Sequence, residues 1–168
     1  MPNPNKKNTF LFFLLLSSLF LGAQSDTLID NQLYSSCLFY DSLEVKFQCG
    51  KKGYPINYGK RFCLKFSNKR NRLSDEGKEW LDSTRHCLQQ SLYDLDPNLS
   101  CKALRKKAFD SHIPCYLDNG YCGLDKKDRK LVIKTIFLSS LVRPRTWRPG
   151  LKVLRNCGKE RRKRRKQE

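Results

Sequence analysis

Histidine is scarce in this sequence, which has only two among its 168 residues, His86 and His112. Neither histidine is followed by an aspartate, and no Gly-x-Ser-x-Gly motif marks a nucleophilic serine. Hydrolases need a base that activates water or a nucleophile, and histidine is the residue that most often supplies it. We therefore expect a protein that is not an enzyme, with no catalytic residues and no cofactor.

The sequence also lacks the spacings that are typical of metal sites. Zinc ligands usually include close pairs such as Cys-x-x-Cys, and no such pair occurs here. The stretch AFDSHIPCYLDNGYC, residues 108–122, holds Cys115, Cys122 and His112, but an exported chain would consume these thiols in disulfides. The D-x-D-x-D-G order of a calcium loop is absent as well. We expect no bound metal, and we interpret the nearby oxygen-bearing side chains as solvated turn residues, namely Asp110, Asp118, Asn119 and Asp125.

Long apolar runs are missing beyond the N-terminal segment. There, Lys6 and Lys7 precede an apolar run over residues 10–21, which ends at the small residues Gly22 and Ala23. A run of about a dozen residues is shorter than the roughly 20 that cross a bilayer, and this arrangement is typical of a secretory signal peptide. We predict a signal peptide at residues 1–23, secretion or periplasmic export, and no integral membrane segment in the mature protein.

Acidic residues are outnumbered two to one, because 16 aspartates and glutamates face 34 lysines and arginines, for a net charge of +18. Loss of Lys6 and Lys7 with the signal peptide would leave +16. A charge of this size attracts acidic lipids, sulfated or phosphorylated sugars, nucleic acid or an acidic protein surface. Residues 158–168 are predicted to be a disordered polybasic tail that binds such partners. The tail contributes +5 because Glu160 and Glu168 oppose seven basic residues: Lys159, Arg161, Arg162, Lys163, Arg164, Arg165 and Lys166.

Cysteine, by contrast, is abundant after the predicted cleavage site. An even number of cysteines in an exported chain indicates disulfides, here four, although parity alone leaves their pairing open. The mature chain of about 145 residues fits a single domain. The eight cysteines are Cys37, Cys49, Cys63, Cys87, Cys101, Cys115, Cys122 and Cys157.

The apolar spacing predicts a mostly α-helical domain. In LSDEGKEWLDSTRHCLQQSL, residues 73–92, Ser74 is a candidate N-cap, and the DLDPN turn at 94–98 stops the helix. A second helix begins near Cys101 and is expected to end close to Pro114. The face of the first helix that we expect to be buried comprises Trp80, Leu81, Thr84, Cys87, Leu88 and Leu92.

The remaining segments give weaker signals. Asn119-Gly120 predicts a turn, after which a helix is expected over about 127–141, broken by RPRTWRPG and followed by a short helical piece at 151–157. YGKRFCLKF, residues 58–66, has helical spacing, whereas YDSLEVKF, residues 40–47, alternates like a strand.

The cysteine intervals resemble those of one known family. LSDEGKEWLDSTRHC looks like the stanniocalcin segment in which Phe-Asp-x-Gln-Gly-Lys-x-Phe precedes a helix that ends in Lys-Cys-Ile. CYLDNGYC matches the Cys-Tyr-x-x-x-x-x-Cys of stanniocalcins, and the intervals of 13, 6 and 34 residues that follow Cys101, Cys115 and Cys122 are similar as well. The resemblance covers residues 37–157.

This resemblance implies a small, disulfide-braced helical factor that is secreted. It also implies four pairs, namely Cys37 with Cys63, Cys49 with Cys101, Cys87 with Cys115, and Cys122 with Cys157. Stanniocalcins carry a further cysteine that joins two chains, and none follows Cys157 here. A covalent dimer is therefore not expected.

We accordingly predict a flexible leader at residues 24–36, a stanniocalcin-like helical domain at 37–157, and the polybasic tail. The predicted function is that of a hormone-like or regulatory extracellular protein that binds a protein or polyanion. Two alternatives stay open: a small secreted hydrolase, because YGKRFC resembles the Tyr-Gly-x-x-Cys of secreted phospholipases, and a cationic membrane-active effector. Asn98, in Asn98-Leu99-Ser100, is a candidate glycosylation site.

Overall fold

The computed structural model describes the backbone of residues 36–140, 147–164 and 166, with side chains except at 138–140, 147–149, 160, 161, 163 and 164. The predicted signal peptide and all of the leader except Ser36 lie outside the described residues. Within them the fold is helical without strands, which confirms the predicted class. Six α-helices follow in order: α1 (Phe39–Phe47), α2 (Arg61–Ser67), α3 (Asp75–Gln90), α4 (Cys101–Asp118), α5 (Lys126–Ser140) and α6 (Trp147–Arg164).

Helix α1 corrects the strand that we expected over residues 40–47. Its buried side chains are Phe39, Tyr40, Leu43 and Phe47, which lie at helical spacing, whereas Val45 faces solvent. The alternation in SLEVKF misled the prediction because it is too short to distinguish the two periods. The burial of four large apolar residues on one face decides in favour of the helix.

The segment between α1 and α3 is also helical, as its spacing predicted at residues 58–66. A π-helical stretch, Pro55–Lys60, runs directly into α2, and a 3-10 turn, Arg70–Arg72, precedes α3. The wider turn brings Gly59 against the ring of Tyr40, where an added Cβ would lie 2.3 Å from Cδ1. This close approach packs the stretch onto α1.

Helix α3 begins at the predicted cap. Ser74 Oγ accepts a hydrogen bond from the Gly77 N–H at 3.1 Å, and the helix ends at Gln90, before the DLDPN turn. Trp80, Leu81 and Thr84 of the predicted stripe are buried, as is Leu92 just beyond the helix.

Helix α4 continues past Pro114, so the expected stop at this proline is wrong. The proline has no N–H to donate within the helix, yet the helix extends to Asp118. Its last turn is held from outside, because Cys115 is bonded to Cys87 and the Tyr116 carbonyl accepts a hydrogen bond from Trp80 Nε1 at 3.4 Å. Tertiary contacts thus outweigh the local cost of the proline.

The predicted turn at Asn119-Gly120 is present, and it leads into α5. Gly120 has a φ of +90°, which suits glycine, and its N–H donates to the Leu117 carbonyl. Helix α6 is longer than the short piece we expected at 151–157. None of the described helices combines the length and apolar character needed to cross a membrane.

Four disulfides brace these helices. They are the same four pairs that the stanniocalcin resemblance implies, with sequence separations of 26, 52, 28 and 35 residues in chain order. Each closed loop restricts the unfolded chain and contributes about 2–4 kcal/mol to stability. The bonded pairs are Cys37–Cys63, Cys49–Cys101, Cys87–Cys115 and Cys122–Cys157.

Two apolar clusters form the core of the part of the chain that the structure describes. The first joins α1 to the first half of α4 through residues such as Phe39, Leu43 and Leu104. The second joins α3, the end of α4, α5 and α6 through Trp80 and Val132. The second cluster therefore positions the two most basic helices, α5 and α6, beside each other.

Candidate polyanion-binding surface

A cleft lined by basic side chains lies between the 3-10 turn and α5. Arg72 contributes one wall, and Lys127, Lys130 and Lys134 contribute the other, around a volume of about 440 Å³. The three lysines lie at i, i+3 and i+7, which places them on one face over about 10 Å of helix. All four side chains are exposed. We call these four residues the cationic cleft.

Asp128 fixes the orientation of α5 beneath this cleft. Its carboxylate is buried and accepts hydrogen bonds from the Ser74 hydroxyl at 2.6 Å and from the Ser74 N–H at 3.2 Å. Its own N–H donates to Asp125 Oδ1 at 2.6 Å, so Asp125 caps α5. One carboxylate therefore joins the first turn of α5 to the first turn of α3, where both helix dipoles favour negative charge.

Gly77 makes this contact geometrically possible. A Cβ on Gly77 would lie 2.2 Å from Asp128 Oδ2 and 2.7 Å from Asp128 Cγ. Neither Asp128 nor the role of Gly77 was predicted from the sequence. A glycine in the first turn of a helix was the available signal, because glycine is costly there unless another group must approach closely.

Several carboxylates near other basic residues are already paired. Asp82 bridges two arginines, with Arg70 Nη2 at 2.7 Å and Arg85 Nη2 at 2.9 Å. No ion pair found among the described side chains includes a residue of the cationic cleft. The remaining pairs are Lys60–Asp41, Lys78–Asp75 and Lys106–Asp110.

The segment that we expected to be a disordered tail begins within a helix. The backbone of 158–164 forms the last turns of α6, which corrects that expectation for these residues. Lys159, Arg162 and Lys166 are exposed. Arg161, Lys163 and Arg164 belong to the helix, although their side chains, like the whole of Arg165, lie outside the described residues. The Cys122–Cys157 bond places the start of this segment at the end of α5 that carries Lys127.

The two histidines lie on different helices. His86 is exposed on α3, whereas His112 is buried within α4. His112 Nδ1 donates to the Ala108 carbonyl at 2.6 Å, and its ring packs near Tyr58, Phe109 and Tyr116. Burial lowers the pKa of this imidazole to about 4, although the bond to Ala108 opposes the shift. His112 is therefore a neutral core residue at pH 7.

The other predicted sites are placed as follows. Asn98 is exposed in the turn before α4, and its side-chain amide donates to Asp96 Oδ1 at 3.2 Å. Ser100 of the same sequon caps α4 by accepting a hydrogen bond from the Ala103 N–H. The described part of the chain contains no group of three or more histidine, cysteine, aspartate or glutamate residues arranged to hold a metal ion.

In comparisons with known proteins, no family model, no curated protein and no solved structure matches this chain. The stanniocalcin relationship consequently stays a prediction. Four disulfides and the lack of a spanning helix among the described residues are compatible with an extracellular, non-membrane protein.

Proposed function

We propose that this chain is a secreted, non-enzymatic protein that binds extracellular polyanions through the cationic cleft and the basic end of α6. The observation that carries the proposal is the row of Lys127, Lys130 and Lys134, which faces solvent opposite Arg72. Four positive charges in one concavity raise the local concentration of anions.

The shape of this surface favours an extended polyanion over a small anion. The lysine row covers about 10 Å of helix, and the basic end of α6 adds further cations at the same end of the molecule. A polymer with repeated sulfate or phosphate groups contacts many of these cations at once, whereas a single small anion contacts one or two. Sulfated polysaccharide is thus the partner class to test first.

The positions and contacts of the two histidines support the non-enzymatic part of the proposal. His112 is occupied by its bond to the Ala108 carbonyl and is enclosed by aromatic rings. His86 lies on a different helix. If the wild-type protein has an esterase or phospholipase activity, and His86→Ala or His112→Ala abolishes it, this part of the proposal is overturned.

We include in the proposal that the chain is a divergent relative of stanniocalcins with a hormone-like or regulatory role. Its support is the set of four disulfide pairs, together with the signal-peptide pattern of residues 1–23. Peptide mapping of the oxidised protein from culture medium checks export, cleavage near Gln24 and pairing together. A second free thiol would contradict the framework.

The binding test compares two variants with equal loss of charge. Lys127→Gln/Lys130→Gln/Lys134→Gln removes the lysine row, and the matched control removes three exposed lysines elsewhere: Lys51→Gln/Lys52→Gln/Lys107→Gln. Exposed charge pairs contribute about 0.2–1 kcal/mol each, so the first variant should bind heparin roughly 3- to 100-fold more weakly. The control should stay close to wild type.

Isothermal titration at several salt concentrations provides the measurement, because contacts between exposed charges weaken as salt is added. Equal affinities for the two variants would refute the assignment to the cleft. Deletion of residues 159–168 tests the tail in the same assay, and unchanged affinity would reject its contribution.

A further inference from the structure

An apolar groove lies between α5 and α6, and the residues of α5 that line it differ from those that line the cationic cleft. Its volume is about 210 Å³. The floor includes Tyr116, Val132 and Val153, which are buried, and no charged side chain lines it among the described residues. This groove belongs to neither the cleft nor any catalytic arrangement.

The rim of the groove consists of apolar side chains that protrude into solvent. Ile133 on α5 and Leu151 and Leu154 on α6 are 39 to 59 % exposed, and Phe137 is similarly accessible. Exposed apolar groups scattered singly are ordinary, but several around one apolar groove form a contiguous patch. Such a patch marks a surface that meets another apolar phase.

Cations stand directly beside these apolar side chains. Lys130 precedes Ile133 by three residues, and Lys134 precedes Phe137 by three, a spacing that makes side chains neighbours on a helix surface. The same holds on α6, where Arg155 follows Leu151 by four residues and is exposed. The exposed surface of α5 thus has apolar side chains next to the groove and lysines next to the cationic cleft.

We infer that this face docks onto an anionic lipid bilayer, with the groove rim inserted among acyl chains and the flanking lysines and arginine bound to acidic headgroups. The arrangement has the chemistry of an interfacial amphipathic surface, in which an apolar face and adjacent cations act together. A polysaccharide offers nothing apolar to the rim, and a neutral bilayer offers nothing to the cations. The inference rests on the proposed function only because both use the same lysine row.

The positions of the rim residues and the cations also favour a bilayer over a single lipid molecule as the partner. The rim residues project outward from both helices. A bilayer surface would cover them, whereas a single ligand molecule lying in the groove would leave them exposed to water. The cations stand outside the groove, on the exposed sides of the helices, where a bilayer presents many headgroups at once. We therefore commit to the bilayer as the partner.

The test uses oxidised protein from culture medium and sedimentation with two kinds of vesicle. The groove variant is Ile133→Ser/Leu151→Ser/Leu154→Ser. The control variant makes three serine substitutions at apolar residues of α1, α2 and the turn before α1 that are 46 to 78 % exposed: Leu38→Ser/Val45→Ser/Leu64→Ser. Circular dichroism verifies that both variants keep the helical fold.

We expect wild type and the control to sediment with vesicles of phosphatidylcholine and phosphatidylserine but not with phosphatidylcholine alone. The groove variant should bind on the order of 100-fold more weakly, because three aliphatic side chains lose their burial. Equal binding by the groove and control variants would overturn the inference. Equal binding to neutral vesicles, or binding of a soluble fatty acid without binding of vesicles, would overturn it as well.

Heparin binding separates this inference from the proposed function. If the groove variant loses vesicle binding but keeps heparin binding, both stand. If wild type binds acidic vesicles but not heparin, the proposed polysaccharide partner fails and the bilayer inference stands. If wild type binds heparin but not acidic vesicles, the bilayer inference fails and the proposed polysaccharide partner stands.

Discussion

Replacement of Gly77 by alanine should destabilise the protein, although helix propensity alone predicts the opposite. Alanine is better than glycine in a helix by about 1 kcal/mol. Here, however, the new Cβ would lie 2.2 Å from Asp128 Oδ2. The buried carboxylate would have to move away, and it would then lose its contacts with Ser74.

The magnitude follows from those contacts. Asp128 accepts one hydrogen bond from the Ser74 hydroxyl and one from the Ser74 N–H, and bonds to a charged group contribute about 1.5–3 kcal/mol each. Loss of both, offset by about 1 kcal/mol of helix propensity, gives a net destabilisation of about 2–5 kcal/mol. In a protein of this size the melting temperature should fall by roughly 5–15 °C.

The matched control is Gly158→Ala, because Gly158 also lies within a helix but an added Cβ there has no neighbour within 4 Å. This variant should be as stable as wild type or up to about 1 kcal/mol more stable. Thermal unfolding followed by circular dichroism, with the disulfides intact, measures both variants. A melting temperature of Gly77→Ala at or above that of wild type would refute the reasoning.

A double-mutant cycle isolates the cause. In an Asp128→Ala background the carboxylate is gone, so Gly77→Ala should lose most of its destabilising effect. If the effect is instead unchanged, the clash involves another neighbour, of which Leu73 Cβ at 3.0 Å is the nearest.

Two further predictions concern stability. The double variant Cys122→Ser/Cys157→Ser opens a loop with a separation of 35 residues and should lose about 3–4 kcal/mol in urea unfolding; a loss below about 1 kcal/mol would contradict this. The pKa of His112 is about 4 in the folded protein, below the unfolded value of about 6.5, so the unfolded chain binds more protons between these values. Stability should therefore decrease by about 3 kcal/mol as pH falls from 6.5 to 4 on account of this group. His112→Phe should flatten that dependence in urea unfolding while His86→Gln retains it, and an unchanged slope in His112→Phe would argue against the assignment.

The sequence was informative where one local signal agreed with tertiary packing. Ser74 is a good N-cap by residue type, and the apolar stripe that follows it is buried, so the start of α3 was predictable. The helical class followed from the same periodicity. The pairing of cysteines was suggested by resemblance alone, because residue spacing does not determine which thiols meet.

Other features of the fold depend on contacts between residues distant in sequence. Pro114 lies within α4 because the residues after it are fixed by Cys87 and Trp80, which no local pattern reveals. Asp128 is buried because its carboxylate accepts a hydrogen bond from Ser74, which is 54 positions away in sequence. The apolar groove is formed by residues of both α5 and α6, and neither helix alone indicates it.

The pattern of disulfides divides the chain into two covalent blocks. The bonds Cys37–Cys63, Cys49–Cys101 and Cys87–Cys115 overlap in sequence, so one peptide-bond cleavage anywhere between residues 37 and 115 releases no fragment. Cys122–Cys157 closes a separate loop. Between Cys37 and Cys157, only residues 116–121, which form the end of α4 and the turn after it, are spanned by no bridge. One cut there would leave the block that carries the lysine row and α6 attached by noncovalent packing alone. A single cleavage in this segment would therefore remove the covalent connection between the lysine row and Arg72, which line the same cationic cleft.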